Sequence, residues 1–273
     1  MKVTEFLQTD RFFSILNNRV KESPWFDKEI ESSLIEYLDD YLRYSEITTE
    51  DLSKAYLKYI KSYNKDMKTY LKTCRYPLQL GEPNYIPTRT EYSLILLFSI
   101  IASPHRMRIM SIINTIDSSV DSSILLIGCG PGYEINLIQK KSKNIIAYDL
   151  ELDGFLEQNF KDLEFRNDYF DGSDNEIFDD IYLIELLEHL EDPYALLKNC
   201  HKVLEIGGNI HLTTATNMPQ FDHLYNFEIS HADFEEQILN LGFEIVFKEI
   251  IKHKYIVSEI ESQNCFYTIK KIK

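Results

Sequence analysis

A chain of 273 residues with 44% hydrophobic and 27% charged side chains, nine glycines and eight prolines has the material for a packed core, which excludes collagen-like, low-complexity and disordered states. The formal net charge of −15 comes from one part of the chain: residues 1–120 carry 16 basic and 16 acidic side chains, residues 121–273 carry 13 and 28. An acidic surface of this kind repels phosphate backbones and argues against long nucleic acid as a partner, though not against a nucleic-acid end held in a local pocket.

The opening residues, Met1–Arg11, are too polar for a signal peptide. Residues 1–116 read as helical. Apolar and aromatic side chains recur at three- and four-residue spacing over Ser32–Tyr44 (Leu34, Leu38, Leu42) and Asp51–Lys72 (Leu52, Tyr56, Tyr59, Ile60, Tyr63). The tyrosine stripe at 56, 59 and 63 reads as packing. A turn-rich stretch, Pro77–Pro87, precedes an apolar helix over Glu91–Ala102, and Pro104 separates this from a further helix over His105–Ile116. The longest apolar stretch, Ser93–Ala102, is too short to span a bilayer and reads as a buried helix. Cys74, Cys129, Cys200 and Cys265 show no CxxC spacing, so neither a zinc site nor a disulfide framework is indicated. The expectation is a reduced, cytoplasmic protein with no membrane partner.

From Ser122 short apolar runs alternate with helical stretches. Strands are expected at Ser123–Ile127, Asn144–Tyr148, Leu163–Phe165, Asp180–Ile184, Asn209–Thr213, Phe243–Ile251 and Cys265–Ile272, with helices including Tyr133–Lys140, Pro193–Leu204 and Ala232–Leu241. This alternation predicts an α/β fold, a doubly wound, mainly parallel seven-stranded sheet. The last two strands leave no room for a crossover helix and are expected to pair antiparallel at the edge. Two regions follow: a helical region over residues 1–116 and an α/β domain over 117–273.

The first strand runs into Gly128-Cys129-Gly130-Pro131-Gly132, followed by a helix. Glycines at a strand-to-helix turn let a ligand approach the backbone, and the helix start presents free N–H groups. Asp149, at the end of the second strand, is placed to accept hydrogen bonds from ribose hydroxyls. A dinucleotide fingerprint requires a glycine at position 133, which is Tyr133, and no Gly-Lys-Ser/Thr follows as in a phosphate-binding P-loop. With ILLIGCGPG (124–132), Asp149, Asn167-Asp168, FDDIYLIELLEHL (178–190) and LEIGGNIHLTT (204–214) in order, the chain resembles the class I S-adenosylmethionine-dependent methyltransferases over roughly residues 115–273. The resemblance implies a Rossmann-like methyltransferase domain. Gly128, Cys129, Gly130 and Gly132 would hold the methionine part of the cofactor. Asp149 and the adjacent Leu150 would meet the ribose, Asp168 the adenine amino group with Asn167 and Tyr169 beside it, and the backbone near Glu185 would line the methionine end.

Methyl transfer is an in-line displacement, so the protein has to align the acceptor and help remove a hydroxyl proton. Glu185, Glu188 and His189 follow the fourth strand, and a helical turn from Leu186 would let all three face one pocket. Three readings stand side by side. His189 acts as general base, with Glu188 beside it; or Glu185, Glu188 and His189 hold a divalent cation such as magnesium that binds substrate hydroxyls; or Glu188 merely pairs and His189 lines the pocket. The E-x-x-E-H pattern is similar to that of metal-dependent O-methyltransferases, among them the ubiquinone-biosynthesis enzymes and the small-RNA 3′-terminal 2′-O-methyltransferases. The latter use a further histidine, for which His223 is the candidate and His211 or His231 the alternatives. The family also implies a substrate lid ahead of the glycine loop, which residues 1–116 would form. Its candidate acceptor contacts are Arg89, Tyr92 and Arg106, the arginines as carboxylate or phosphate binders, against ordinary surface charge. The expected activity is methylation of a small metabolite, more readily at oxygen than nitrogen. A peptide acceptor, an RNA 3′ terminus and a catalytically inactive scaffold are the alternatives in that order.

Overall fold

The computed structural model describes residues 1–81, 84–173, 176–254 and 260–273. Its first half is six helices: α1 (Val3–Thr9), α2 (Arg11–Lys21), α3 (Lys28–Tyr44), α4 (Thr49–Thr73), α5 (Arg89–Ala102) and α6 (Pro104–Thr115). Side-chain caps set where they begin. Asp27 accepts hydrogen bonds from the backbone N–H of Glu29 and Ile30, so α3 starts four residues before the first residue of the predicted helix. Reciprocal capping boxes, Thr48 with Asp51 and Thr88 with Glu91, start α4 and α5. Pro104 occupies the first turn of α6, where its missing N–H costs nothing, and α5 and α6 meet there at 89°. Part of the turn-rich stretch expected at Pro77–Pro87, Glu82 and Pro83, lies outside the described residues.

The second half is β1 (Ser123–Ile127), α7 (Tyr133–Ile138), β2 (Asn144–Asp149), α8 (Gly154–Asn159), β3 (Glu164–Asn167), β4 (Phe178–Leu183), α9 (Pro193–Val203), β5 (Leu204–Thr216), α10 (Ala232–Asn240), β6 (Phe243–His253) and β7 (Ser262–Lys271). The strand order is β3-β2-β1-β4-β5-β7-β6, parallel except for β7, which runs antiparallel to both β5 and β6. This is the Rossmann-like methyltransferase arrangement. β5 is longer than expected at both ends: Leu204 pairs with Phe178 of β4 at its start, and Asn209 to Thr216 pair with β7 to its end.

Alternation along β1 sorts its side chains to the two faces. Ile124 and Leu126 pack among the front helices, α7 and α8, while Leu125 and Ile127 pack with α9 and α10. Helix α5 carries apolar side chains all round (Leu94, Ile95, Leu97, Phe98, Ile100, Ile101) and is sandwiched between the other front helices and the sheet, each such side chain contributing about 1.5–3 kcal/mol. Tyr56, Tyr59 and Tyr63 are buried in that layer, as the spacing predicted. No single described helix is long and apolar enough to cross a membrane, and all four cysteines are free. The carboxyl ends of β1, β2 and β4 converge where the sheet order reverses, with α5 lying across them.

Candidate active site

The loop after β1 is held by its own backbone and by β2. Gly128, Gly130 and Gly132 have φ of 74°, 49° and 79°, the left-handed region in which glycine alone is unstrained. The N–H groups of Gly128 and Cys129 donate to the Tyr148 carbonyl (2.8 and 3.1 Å), and that of Gly130 donates to Asp149 Oδ2 (2.8 Å). From the helical half, Tyr37 Oη donates to the Pro131 carbonyl (2.6 Å), so α3 braces the loop from behind.

Two adjoining cavities open at this loop. One, of about 140 Å³, is walled by Tyr148, Leu150, Asp168, Tyr169, Phe170 and Leu196. The other, of about 150 Å³, is walled by Tyr92, Leu96 and Ile100 of α5, by Arg106 and Glu134, and by Glu185 and His189. Gly128, Asp149 and Leu186 belong to both, so the two cavities adjoin across these residues.

The second cavity has a charged wall. Arg106 Nη1 lies 3.1 Å from Glu185 Oε2 and its Nη2 3.9 Å from Glu134 Oε1. Burial pushes the Glu134 carboxyl up, and Arg106 opposes that shift. Glu185 has φ +50°, a conformation that strains any residue with a Cβ. It is held there by Thr213 Oγ1, which accepts its N–H (2.6 Å), and by Asn264, whose amide donates to Oε1 (2.8 Å). Beside it a short 3-10 turn, Leu187–His189, directs Glu188 inward and His189 toward the cavity. His189 Nδ1 lies 3.2 Å from the Asp222 carbonyl and 3.5 Å from its Oδ2, and Oδ2 accepts the Tyr92 hydroxyl (2.6 Å). Behind His189, ligand atoms of Glu188, His189 and His223 lie within 4.8 Å of one another. Glu188 Oε2 and His223 Nδ1 are buried with no hydrogen-bond partner among the described residues. Burial, reinforced by the Glu185 charge, pushes the Glu188 carboxyl well up; burial and then His189 push the His223 imidazole down to about 3.

The sequence model of a methyltransferase domain matches residues 105–245, half of the chain. The chain belongs to the class I S-adenosylmethionine-dependent methyltransferases. The ubiquinone biosynthesis O-methyltransferase of Pseudomonas aeruginosa (strain UCBPP-PA14) is 26% identical over 128 residues, 44% of this chain and 54% of the relative. The chain spans about half the length of that relative. Among solved structures, a methyltransferase from Bacillus halodurans C-125 shares the fold with a TM-score of 0.52 at 13% identity, covering 60% of this chain and 99% of that one. The N-methyltransferase NodS from Bradyrhizobium japonicum WM9, in complex with S-adenosyl-L-homocysteine, gives 0.50 at 18%, covering 62% and 89%.

On this methyltransferase frame the predicted residues separate into groups. Gly128, Cys129, Gly130, Asp149 and Glu185 line the cavity at the glycine loop, and Asp149, Leu150, Asp168 and Tyr169 line its neighbour. Two further residues assigned to the cofactor line neither cavity. Asn167 Oδ1 accepts the Leu152 N–H (2.8 Å) and fixes the turn after β2, and Gly132 caps α7, where a Cβ would meet Leu156 at 2.3 Å.

Among the candidate metal and acceptor residues, the expectation that Glu185, Glu188 and His189 face one pocket is met by Glu185 and His189 only. Glu188 is 1% exposed and joins His223, while Glu185 is committed to Arg106 and Asn264. His211 and His231 are spoken for by Thr268 and Thr214, so His223 is the histidine that reaches the cluster. Tyr92 and Arg106 stand at the expected pocket and Arg106 is buried, not surface charge. Arg89 lies 3.7 Å from Asp149 Oδ1, on the cofactor side. Sequence reasoning missed Asp222, Asn264, Glu134 and Tyr37 as parts of the site. Only Asp222 and Glu134 carry a local signal, through adjacency to His223 and to the glycine loop.

Proposed function

We propose that the chain transfers the methyl group of S-adenosylmethionine to a hydroxyl oxygen of a small-molecule acceptor, with His189 accepting the hydroxyl proton. The observation that carries this reading is the placement of His189 on the wall of the glycine-loop cavity with Nδ1 engaged by Asp222, which leaves Nε2 to receive a proton. The adenosine would occupy the cavity of Asp168 and Tyr169, and the methionine end the cavity of Arg106, Glu134 and Glu185. Two carboxylates against one guanidinium give that wall an excess of negative charge, which suits a ligand with a sulfonium and an ammonium group. The front helices would form a lid over the acceptor, since Tyr92, Leu96 and Ile100 of α5 wall its cavity. The relative's O-methyltransferase activity and the acidic second half of the chain support a small acceptor over peptide or RNA.

A second reading rests on His189 with the buried Glu188 and His223 behind it. Their unpartnered Oε2 and Nδ1 atoms fit a divalent cation, and two imidazoles with one carboxylate suit zinc or iron better than the magnesium expected from sequence. A cation there supplies Lewis acidity toward a substrate hydroxyl.

Calorimetric titration with S-adenosylhomocysteine tests the cofactor, and a panel of phenolic and aliphatic hydroxyl compounds tests the acceptor. His189→Ala is expected to lower turnover by about 10²–10⁴ with cofactor affinity unchanged. Full turnover in that variant sinks the base reading. Activity indifferent to chelation, with no ion found by elemental analysis, sinks the cation reading.

A further inference from the structure

A separate cavity of about 290 Å³ lies on the far side of the α5–α6 bend and shares no lining residue with the two described above. Its wall is apolar, built from Phe12 and Leu16 of α2, Trp25, and Tyr56 and Ile60 of α4. Its cations are Arg19, Lys252 and Lys254, and none of the described residues that line it is acidic. The rings of His105 and His253 also line it, stacked 3.6 Å apart at 12°. Arg19 donates to the Lys254 carbonyl (2.5 Å), which joins α2 to the end of β6 across the cavity.

This grouping runs against the rest of the molecule. Residues 121–273 carry 28 acidic and 13 basic side chains, yet the part of the cavity they build is basic. Lys252 pairs with Glu261 at 3.4 Å, but both side chains are more than 60% exposed, so the pair holds neither firmly. Three cations line the same cavity as the apolar wall, so an anion placed there is attracted to each of them. An aromatic and aliphatic wall with a few charged groups at one end is the composition of a site for an amphiphile.

We propose that this cavity binds an organic carboxylate with an apolar body, its head between Arg19, Lys252 and Lys254 and its body against Phe12, Trp25 and Ile60. The volume suits a ligand of about a dozen heavy atoms, at the small end of known pockets. The site is independent of the methyl-transfer reading.

Trp25 is the chain's single tryptophan, so its emission reports on this cavity and on neither of the others. The experiment is titration of the full chain with decanoate and with decanol below their aggregation limits, with Trp25 fluorescence as readout. Decanoate is expected to change the emission saturably and to bind about tenfold or more tighter than decanol, one charge-assisted contact being enough for that ratio. The Lys252→Gln/Lys254→Gln variant, altered only at exposed side chains, is expected to lose a similar factor while keeping its circular dichroism. Arg19→Gln is a second, independent test of the same head-group contact. Saturating S-adenosylhomocysteine is expected to leave the decanoate response in place. Equal responses to decanoate and decanol, no saturable response, unchanged binding in both glutamine variants, or loss of the response with S-adenosylhomocysteine would each overturn the proposal.

Discussion

Asp149 lines both cavities and fixes the loop between them. Its Oδ2 accepts the Gly130 N–H and its Oδ1 the Glu151 N–H, so the carboxylate that faces the cavity also fixes the glycine turn. Asp149→Ala is expected to weaken S-adenosylhomocysteine binding by at least about tenfold, the loss of one charge-assisted hydrogen bond, and calorimetry measures it directly. Unchanged affinity would remove the ribose assignment. The position of Asp149 beside the glycine loop was legible because the distance from glycine loop to strand end is set by one βαβ unit. The roles of Glu185 and Glu188 were not, because spacing places residues along the chain while the turn decides their direction. A left-handed residue at 185 followed by a 3-10 turn sends Glu185 to Arg106 and Glu188 into the interior.

At the scale of elements, the join between β1 and α7 depends on a residue that touches no cavity. Gly132 has φ +79°, and an added Cβ would lie 2.3 Å from Leu156 of α8 and 3.1 Å from the Tyr37 hydroxyl of α3. Gly132→Ala is expected to destabilise the fold by about 2 kcal/mol or more, from left-handed strain and overpacking together, read as a lower urea midpoint. A midpoint within error of the parent would show that α8 gives way freely. The glycine itself was visible in sequence, but its partners Leu156 and Tyr37 come from segments far away in the chain. The helix boundaries follow the same division. Thr88 with Glu91 announces the start of α5, whereas the extent of β5 depends on β4 alongside its start and β7 alongside its end.

Across the whole molecule, the front helices and one face of the sheet share a single core. Val3, Phe13 and Leu34 belong to the same buried cluster as Ile124, Leu126 and Tyr182, although the sequence reads as two regions that meet near residue 116. Buried histidines tie the halves together: His105 lies in the first turn of α6, next to the bend, and its ring stacks on that of His253, which ends β6. Burial holds His253 neutral, down to about 4, and pushes His105 well below its ordinary value. The unfolded chain takes up protons on both near pH 6.5 and the folded chain does not, so their contribution is intact above about 6.5 and is lost as pH falls toward 4. Urea midpoints at pH 7, 6 and 5 are expected to fall with pH, at up to about 1.4 kcal/mol per unit for each histidine. His253→Gln is expected to flatten that dependence; an equal slope in parent and variant would contradict it.

The sequence by itself determined the α/β class, the seven strands, the antiparallel edge, the glycine loop with Asp149, and the methyltransferase family. These are written in hydrophobic period, turn residues and short-range spacing, which act between neighbours along the chain. Only the tertiary structure decided which acids face the cavity, that His223 rather than His211 or His231 reaches Glu188, that Asp222 holds His189, and that Arg19 meets Lys254 across the fold. Each of those depends on side chains brought together from separate elements, where packing and burial set direction, charge state and partner.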